Sequence, residues 1–368
     1  MPQTPLSLDS LLKRDRNNLD FIRFLAATIV IIAHVYPLSY GPRGEGLDLL
    51  GRLTHYQLGF GSLGVGIFFI ISGFLITASF EKSKAVALYL KSRILRIFPG
   101  LTIAVLLTAF VIGPLFTSNE LKPYFSNPET YLYLKTIFLV KTSYTLPGVF
   151  ESLPFPGAIN GSLWTLIIEF FCYFMVLFLG LIKTLNKPIV LSLFIIIALP
   201  NFIFGELMSG SKIPMLNVLN GFYNNNFVLQ IVFCISSFLA GMIFYLWRRA
   251  IPLNLTLFLI SAIFLCLTSI IGSGLDAAFF IFGGYLILLL SALPSPLNRF
   301  SKHGDFSYGM YIYAFPIQQA VISLGFTQLN NFLISFIITL ALSVFSWHLV
   351  EKPAMRIKNI SGFNIRLF

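Results

Sequence analysis

Arg23 and His34 sit eleven positions apart in an apolar run that also holds Asp20. At about 100° per residue, eleven helical steps return to within roughly 20° of the starting direction, so the two side chains share one stripe. At about 1.5 Å per residue they are about 16 Å apart along the axis. A guanidinium and an imidazole on one stripe of a membrane helix face the bundle interior or a wet cavity, where a neutral imidazole can serve as a base. The other reading is that Arg23 snorkels to the interface and His34 caps the outer end. This helix alone does not choose between them.

Two more groups carry charge into apolar surroundings. Arg93 and Arg96, within Tyr89-Leu-Lys91-Ser-Arg93-Ile-Leu-Arg96-Ile-Phe-Pro99, are neighbours on one helical face. Such a pair suits a phosphate held in bidentate fashion. Taken alone, the motif reads more strongly as an ordinary basic flank on the cytoplasmic side. Glu169 lies more than a turn into the run after Asn160-Gly-Ser162-Leu-Trp164, where a turn and a Ser162 cap are expected to open a helix. A carboxylate at that depth is costly unless paired or protonated. It either pairs with an intramembrane arginine or orients and balances a catalytic histidine. Gly64, Gly66, Ser72 and Gly73 place small residues in one run, and close helix packing is the stronger reading there. No metal site and no permanently bound cofactor is expected.

These residues need elements to hold them, and composition says what kind. Of 368 residues, 57% are hydrophobic, 11% are charged and 40 are Phe, with a mean hydropathy of +0.84. Soluble domains carry about 25% charged residues. So much apolar surface exceeds what one soluble core can bury, whereas a bilayer accepts it on the outside of a helix bundle. The net charge of +11 is interleaved with spans too apolar to face water, which points away from nucleic acid and toward anionic lipid or a phosphate-bearing substrate. Cys172, Cys234 and Cys266 all fall in apolar runs and read as core thiols.

The sequence therefore predicts an all-α, polytopic integral membrane helix bundle, one membrane domain over 1–368. About ten spans are expected, near 19–38, 60–80, 97–116, 162–182, 188–204, 227–247, 253–272, 276–293, 307–325 and 331–350. The seventh and eighth are separated only by Ile271-Gly272-Ser273-Gly274. Residues 1–18 form a polar N-terminal segment, read as retained rather than cleaved. With an even count, 19 of the 25 Lys and Arg residues fall on the side of the termini, including Lys13, Arg14, Arg16, Arg23, Lys84 and the C-terminal tail. Arg43, Arg52, Lys122, Lys135, Lys141 and Lys212 fall on the other. The positive-inside rule then places both termini in the cytoplasm. The long external loop, 117–161, contains Pro154 and Pro156 and cannot be helical throughout. It either covers or binds an acceptor or simply connects.

Together these segments resemble the acyltransferase family 3 membrane proteins, which include bacterial O-acetyltransferases of surface carbohydrate. The resemblance runs through Leu19-Asp20-Phe-Ile-Arg23 to His34, Phe69-Ile-Ile-Ser72-Gly73-Phe74, Arg93-x-x-Arg96 with Pro99, and Ser162-Leu-Trp164 to Glu169. It continues with Phe306-Ser307-Tyr308-Gly309 and Trp347-His348-Leu-Val-Glu351-Lys-Pro353. It implies His34 as catalytic histidine, Arg23 as its companion, Arg93 and Arg96 as acyl-CoA-binding residues, and Glu169 as a required acidic group. Asp20, Ser72, Gly73, Trp164 and Tyr308 are supporting candidates. Where many relatives carry a histidine, Tyr313-Ala314-Phe315-Pro316 has none, so the ninth helix is given no catalytic role.

The resemblance implies an enzyme of the bacterial inner membrane that moves an acyl group, most simply acetyl from acetyl-CoA, to a hydroxyl of a carbohydrate. O-antigen of lipopolysaccharide, exopolysaccharide, peptidoglycan and lipo-oligosaccharide are the acceptors it suggests. A glycolipid or acyl-group transporter or flippase is the competing class. The lack of an inverted repeat speaks against it.

Overall fold

Each apolar run expected to be a helix is one. The computed structural model describes residues 7–12, 17–41, 44, 48–83, 85–202 and 226–357. Lys13, Arg14, Arg16, Arg43, Lys84, Lys212 and the tail beyond Ile357, used in the charge count, lie outside the described residues. The long helices are α1 Leu19–Tyr40, α2 Phe60–Lys82, α3 Val86–Phe116, α4 Trp164–Leu181 and α5 Lys187–Phe202. They continue as α6 Asn226–Leu246, α7 Leu255–Ile271, α8 Leu275–Ala292, α9 Ser307–Ser323 and α10 Gln328–Arg356. Seven of them (α1, α2, α3, α4, α6, α8 and α10) are long and apolar enough to cross a bilayer, which makes this a multi-pass membrane protein. α5, α7 and α9 are shorter. Among the described residues there is no strand, only isolated bridges at Ser7–Pro252 and Thr117–Val149.

α3 starts eleven residues earlier than the hydropathy run indicated, because Lys91, Arg93 and Arg96 lower the hydropathy of a segment that is nonetheless helical. Pro99 sits inside it. A π-helical turn at Thr108–Ile112 widens its far end, where the Tyr124 hydroxyl donates to the Ala109 carbonyl at 2.7 Å. Gly113 makes room, since a Cβ there would collide with the Tyr124 hydroxyl.

The chain clusters into two compact units. The first comprises 1–26, 49–82 and 171–302; the second comprises 27–48, 83–170 and 303–368. α1 and α4 each give one part to each unit.

In the first unit, α2 and α6 cross at two glycines used reciprocally. A Cβ on Gly73 would strike the Phe238 carbonyl, and one on Gly241 would strike the Ile70 carbonyl. Gly66 lies under the Phe279 ring, which stacks on Phe233 at 5.7 Å. The small-residue run of α2 is thus a packing surface, as its pattern indicated. Gly272 and Gly274, at φ +79° and +78°, make the tight α7–α8 turn. Although 1–18 read as a polar segment, Leu8 and Leu11 on a short 3₁₀ helix, Leu8–Leu12, are buried in the main apolar core of this unit. Asp9 on the same turn accepts from Arg248 at 3.0 Å. Cys172 and Cys234 are buried, whereas Cys266 is exposed on the apolar face of α7, where a bilayer replaces a protein core.

In the second unit α9 is buried at every position from Ser307 to Ile322. Its neighbour α10 presents Asn331, Ser335, Thr339, Ser343 and Ser346, all buried at three- or four-residue spacing, one small polar stripe along one face. Gly309 of α9 meets Ser343 so closely that no Cβ would fit without a shift. The 117–161 segment is folded: helices Leu121–Ser126 and Pro128–Leu132 and a 3₁₀ turn, Tyr133–Phe138, precede an irregular stretch with the two prolines.

Candidate active site

His34 occupies the second half of α1, and the edge of its ring meets Phe315 of α9, centroids 5.0 Å apart at 75°. Its Nδ1 is buried and lacks a hydrogen-bond partner among the described residues. Phe315 is held from the other side by Gly161, where a Cβ would press on the ring, and by Phe155 at 6.3 Å.

One helical turn beyond Phe315 come two consecutive glutamines, both fully buried. Gln318 Nε2 donates to the Ile31 carbonyl of α1 at 2.9 Å and to Asn331 Oδ1 at 3.3 Å. Gln319 Nε2 donates to the carbonyls of Phe155 at 2.9 Å and Ala158 at 3.0 Å. Each amide nitrogen thus meets two acceptors, which fixes the orientation of both amides. The two amide oxygens, like Ser162 Oγ, are buried and lack partners among the described residues. Buried polar atoms in this condition are costly to keep unless a ligand meets them.

The turn before α4 is closed by Asn160 rather than capped by Ser162. Asn160 Oδ1 accepts from the Ser162 amide at 3.2 Å while its Nδ2 donates to the Ile312 carbonyl at 2.8 Å. The Asx turn takes the Ser162 amide, and Ser162 Oγ itself lacks a partner among the described residues. Next to Trp164, the Thr165 hydroxyl lies 2.5 Å from Tyr311 Oη, which also reaches the Ser162 carbonyl at 3.1 Å.

Arg96 lies near the other end of α9. It bonds Asp305 at 2.5 Å, faces Glu351 at 3.6 Å, and lies over the Tyr308 and Trp347 rings at 5.6 and 5.9 Å. Asp305 also accepts from Ser307 Oγ at 2.5 Å, and Glu351 from Ser346 Oγ at 2.9 Å. The π turn Trp347–Glu351 brings both the ring and the carboxylate of that segment to one arginine. Tyr308 donates to the Ile97 carbonyl at 2.7 Å, and Glu169 acts electrostatically on the same tyrosine. Arg93, three residues earlier on α3, directs its Nε to Ser92 Oγ at 3.2 Å.

α9 therefore serves as a ruler. Tyr308 marks the Arg96 cluster and Phe315 marks His34, seven residues or about 10 Å apart along the axis. Of the candidates, Arg96 and Tyr308 come together at one level, with Glu169 within electrostatic reach of Tyr308, and His34 stands at another. Asp20 and Arg23 belong to the first unit and face each other at 4.0 Å; Ser72 and Gly73 also lie in that unit. Among the described residues, no group of three or more His, Cys, Asp or Glu side chains is arranged to hold a metal.

Residues 16–348 match the family described as "Acyltransferase domain", across both units. The chain belongs to acyltransferase family 3. This acyltransferase is 30% identical over 349 residues to a protein named "O-acetyl transferase" from Shigella phage Sf6, covering 91% of the chain and 95% of the relative. It is 28% identical over 365 residues to "Nodulation protein 10" of Rhizobium leguminosarum bv. viciae, covering 93% and 94%. No solved structure matches it. The chain is thus an enzyme of the O-acetyltransferase kind. In this acyltransferase the motif residues point to Arg96 and His34, but Asp305, Phe315, Gln318 and Gln319 escaped the sequence reading. Two adjacent glutamines in an apolar run were the available signal, since polar groups at membrane depth mark function or packing.

Proposed function

We propose that this enzyme transfers an acetyl group from acetyl-CoA to a hydroxyl of a surface or exported carbohydrate, with His34 as general base. The supporting observation is His34 itself: a half-buried imidazole whose buried Nδ1 lacks a partner among the described residues, packed on the Phe315 ring one turn before two buried glutamines. A substrate hydroxyl would meet that nitrogen. Its proton passes to Nδ1 as the oxygen adds to the thioester carbonyl. Collapse of the tetrahedral adduct breaks the C–S bond, and the thiolate leaves with that proton. The products are an O-acyl ester and free CoA.

Arg93 is the proposed anchor for the CoA phosphates. It stands one turn of α3 before Arg96. Adding that turn to the α9 ruler separates it from the His34 level by about 15 Å, a span suited to an extended pantetheine arm. Glu169 is assigned to balancing charge near Tyr308, because the same ruler sets that level about 10 Å from His34. Arg23, on the stripe of α1 that carries His34, is the proposed partner for charge on the donor. The setting is a bacterial inner membrane, with donor arriving from the cytoplasm.

His34→Ala is expected to lower transfer by about 10²–10⁴-fold, the usual worth of a positioned base, while membrane insertion stays normal. The assay is label transfer from radiolabelled acetyl-CoA with purified protein. Wild-type rates in that variant would remove His34 from the chemistry.

A further inference from the structure

A groove of about 500 Å³ opens where α3 and α9 end, bordered by Phe116, Thr117 and Ser118, by the 148–153 loop, and by Ser323. We propose that it is a second acceptor subsite, holding a neutral sugar ring of the same chain whose reacting ring lies at His34. This inference rests on the carbohydrate reading above.

The lining carries no Lys or Arg and includes Glu151, so a phosphate or nucleotide is disfavoured there. Ser118, Ser152 and Ser323 are all exposed and offer hydroxyls. Phe116 adds part of an aromatic face, backed by the buried Phe150 ring at 5.5 Å. Hydroxyls around one aromatic face are the chemistry that recognises a sugar, polar at its rim and apolar on its C–H face.

The groove is preformed. Phe150 is held at φ +59° and Gly148 at +71°, conformations that need support from their surroundings. That support is present. The Gly148 amide donates to Glu151 Oε1 at 2.9 Å, Thr117 Oγ1 donates to the Pro147 carbonyl at 2.7 Å, and the Ser118 amide donates to the Gly148 carbonyl at 2.9 Å.

The groove is also connected to His34 by packing. Leu153 on its wall packs against Leu38, Phe315 and Ile322, and Phe315 carries the His34 ring on its other contact. Ser323 lies eight residues beyond Phe315, about 12 Å along α9. That distance is bridged by an oligosaccharide and not by one ring. The enzyme would therefore favour polymeric or oligomeric acceptors.

The test pairs single-ring and four-ring glycosides of glucose, rhamnose and N-acetylglucosamine as acceptors, with radiolabelled acetyl-CoA, for wild type and Ser323→Trp. The wild type should show the lower KM for a four-ring acceptor. Ser323→Trp should raise that KM about tenfold, the loss of one or two hydrogen bonds, and leave kcat, the acetyl-CoA KM and single-ring transfer unchanged. Ser152→Trp fills the groove from the opposite lip and should act alike if Ser323→Trp does not insert. Equal KM for short and long acceptors in the wild type, or no change in the variants, overturns the subsite. Turnover of acetyl-CoA with no glycoside accepting the label overturns the carbohydrate reading itself.

Discussion

Arg96 meets Asp305 at 2.5 Å and Glu351 at 3.6 Å while its flat face lies against Tyr308 and Trp347, so two carboxylates surround one guanidinium. An anion approaching that cluster would meet a surplus of negative charge, which suits Arg96 to clamping α3, α9 and α10 better than to holding phosphate. The two arginines should then separate in experiment. Arg96→Ala leaves two nearly buried carboxylates without their cation and is expected to cost about 3 kcal/mol, read as a lower thermal unfolding midpoint in detergent. Arg93→Ala should leave that midpoint unchanged and raise the KM for acetyl-CoA. If Arg96→Ala melts like wild type and only donor affinity falls, both arginines bind phosphate. At the glutamines, Gln319→Met keeps the volume but leaves the Phe155 and Ala158 carbonyls unmet, a loss of about 1–3 kcal/mol that should reduce kcat by loosening the segment beside Phe315. Unchanged melting and turnover would show that these bonds are dispensable.

Among the elements, α2 and α6 depend on Gly73 and Gly241, each facing a carbonyl of the other helix. Gly73→Leu inserts a side chain where backbone already lies and should destabilise the first unit by about 1–3 kcal/mol or more, measured as lost monodisperse yield and a lower melting midpoint. Normal folding of that variant would mean the helices do not cross there. This contact was readable from Gly64, Gly66 and Gly73 because small residues at helical spacing have one common use between membrane helices. The ends of α4, α6 and α8 were equally readable, since hydropathy changes sharply there. The extent of α9 was legible too, near 307–325, but not which of its residues matter, because a helix buried all round shows no amphipathic stripe. The local sequence carries no signal of what Phe315 and Gln318 meet, because their partners lie on α1 and α10, far away along the chain. The Asx turn at Asn160 was hidden for a related reason: Asn160 and Ser162 are both good turn formers, and only the bond from Asn160 to Ile312 decides between them.

At the scale of the molecule, the second unit has two chemically different ends joined by α9, with the Arg96 cluster at one and the Ser323 groove at the other. The proposed transfer from a cytoplasmic donor to an exported acceptor requires those ends to face opposite compartments, with the Arg96 end inward. Single cysteines can read this directly. His303 is exposed beside the start of α9, and Glu120 is exposed just beyond the end of α3. Cys266 is exposed in the native chain, so it and its two buried companions are first replaced with Ala. In intact cells, Glu120→Cys should react with a membrane-impermeant maleimide. His303→Cys should react only after the membrane is opened. Labelling of both from outside would place the two ends in one compartment, and the donor and the acceptor would then have to approach His34 from the same side.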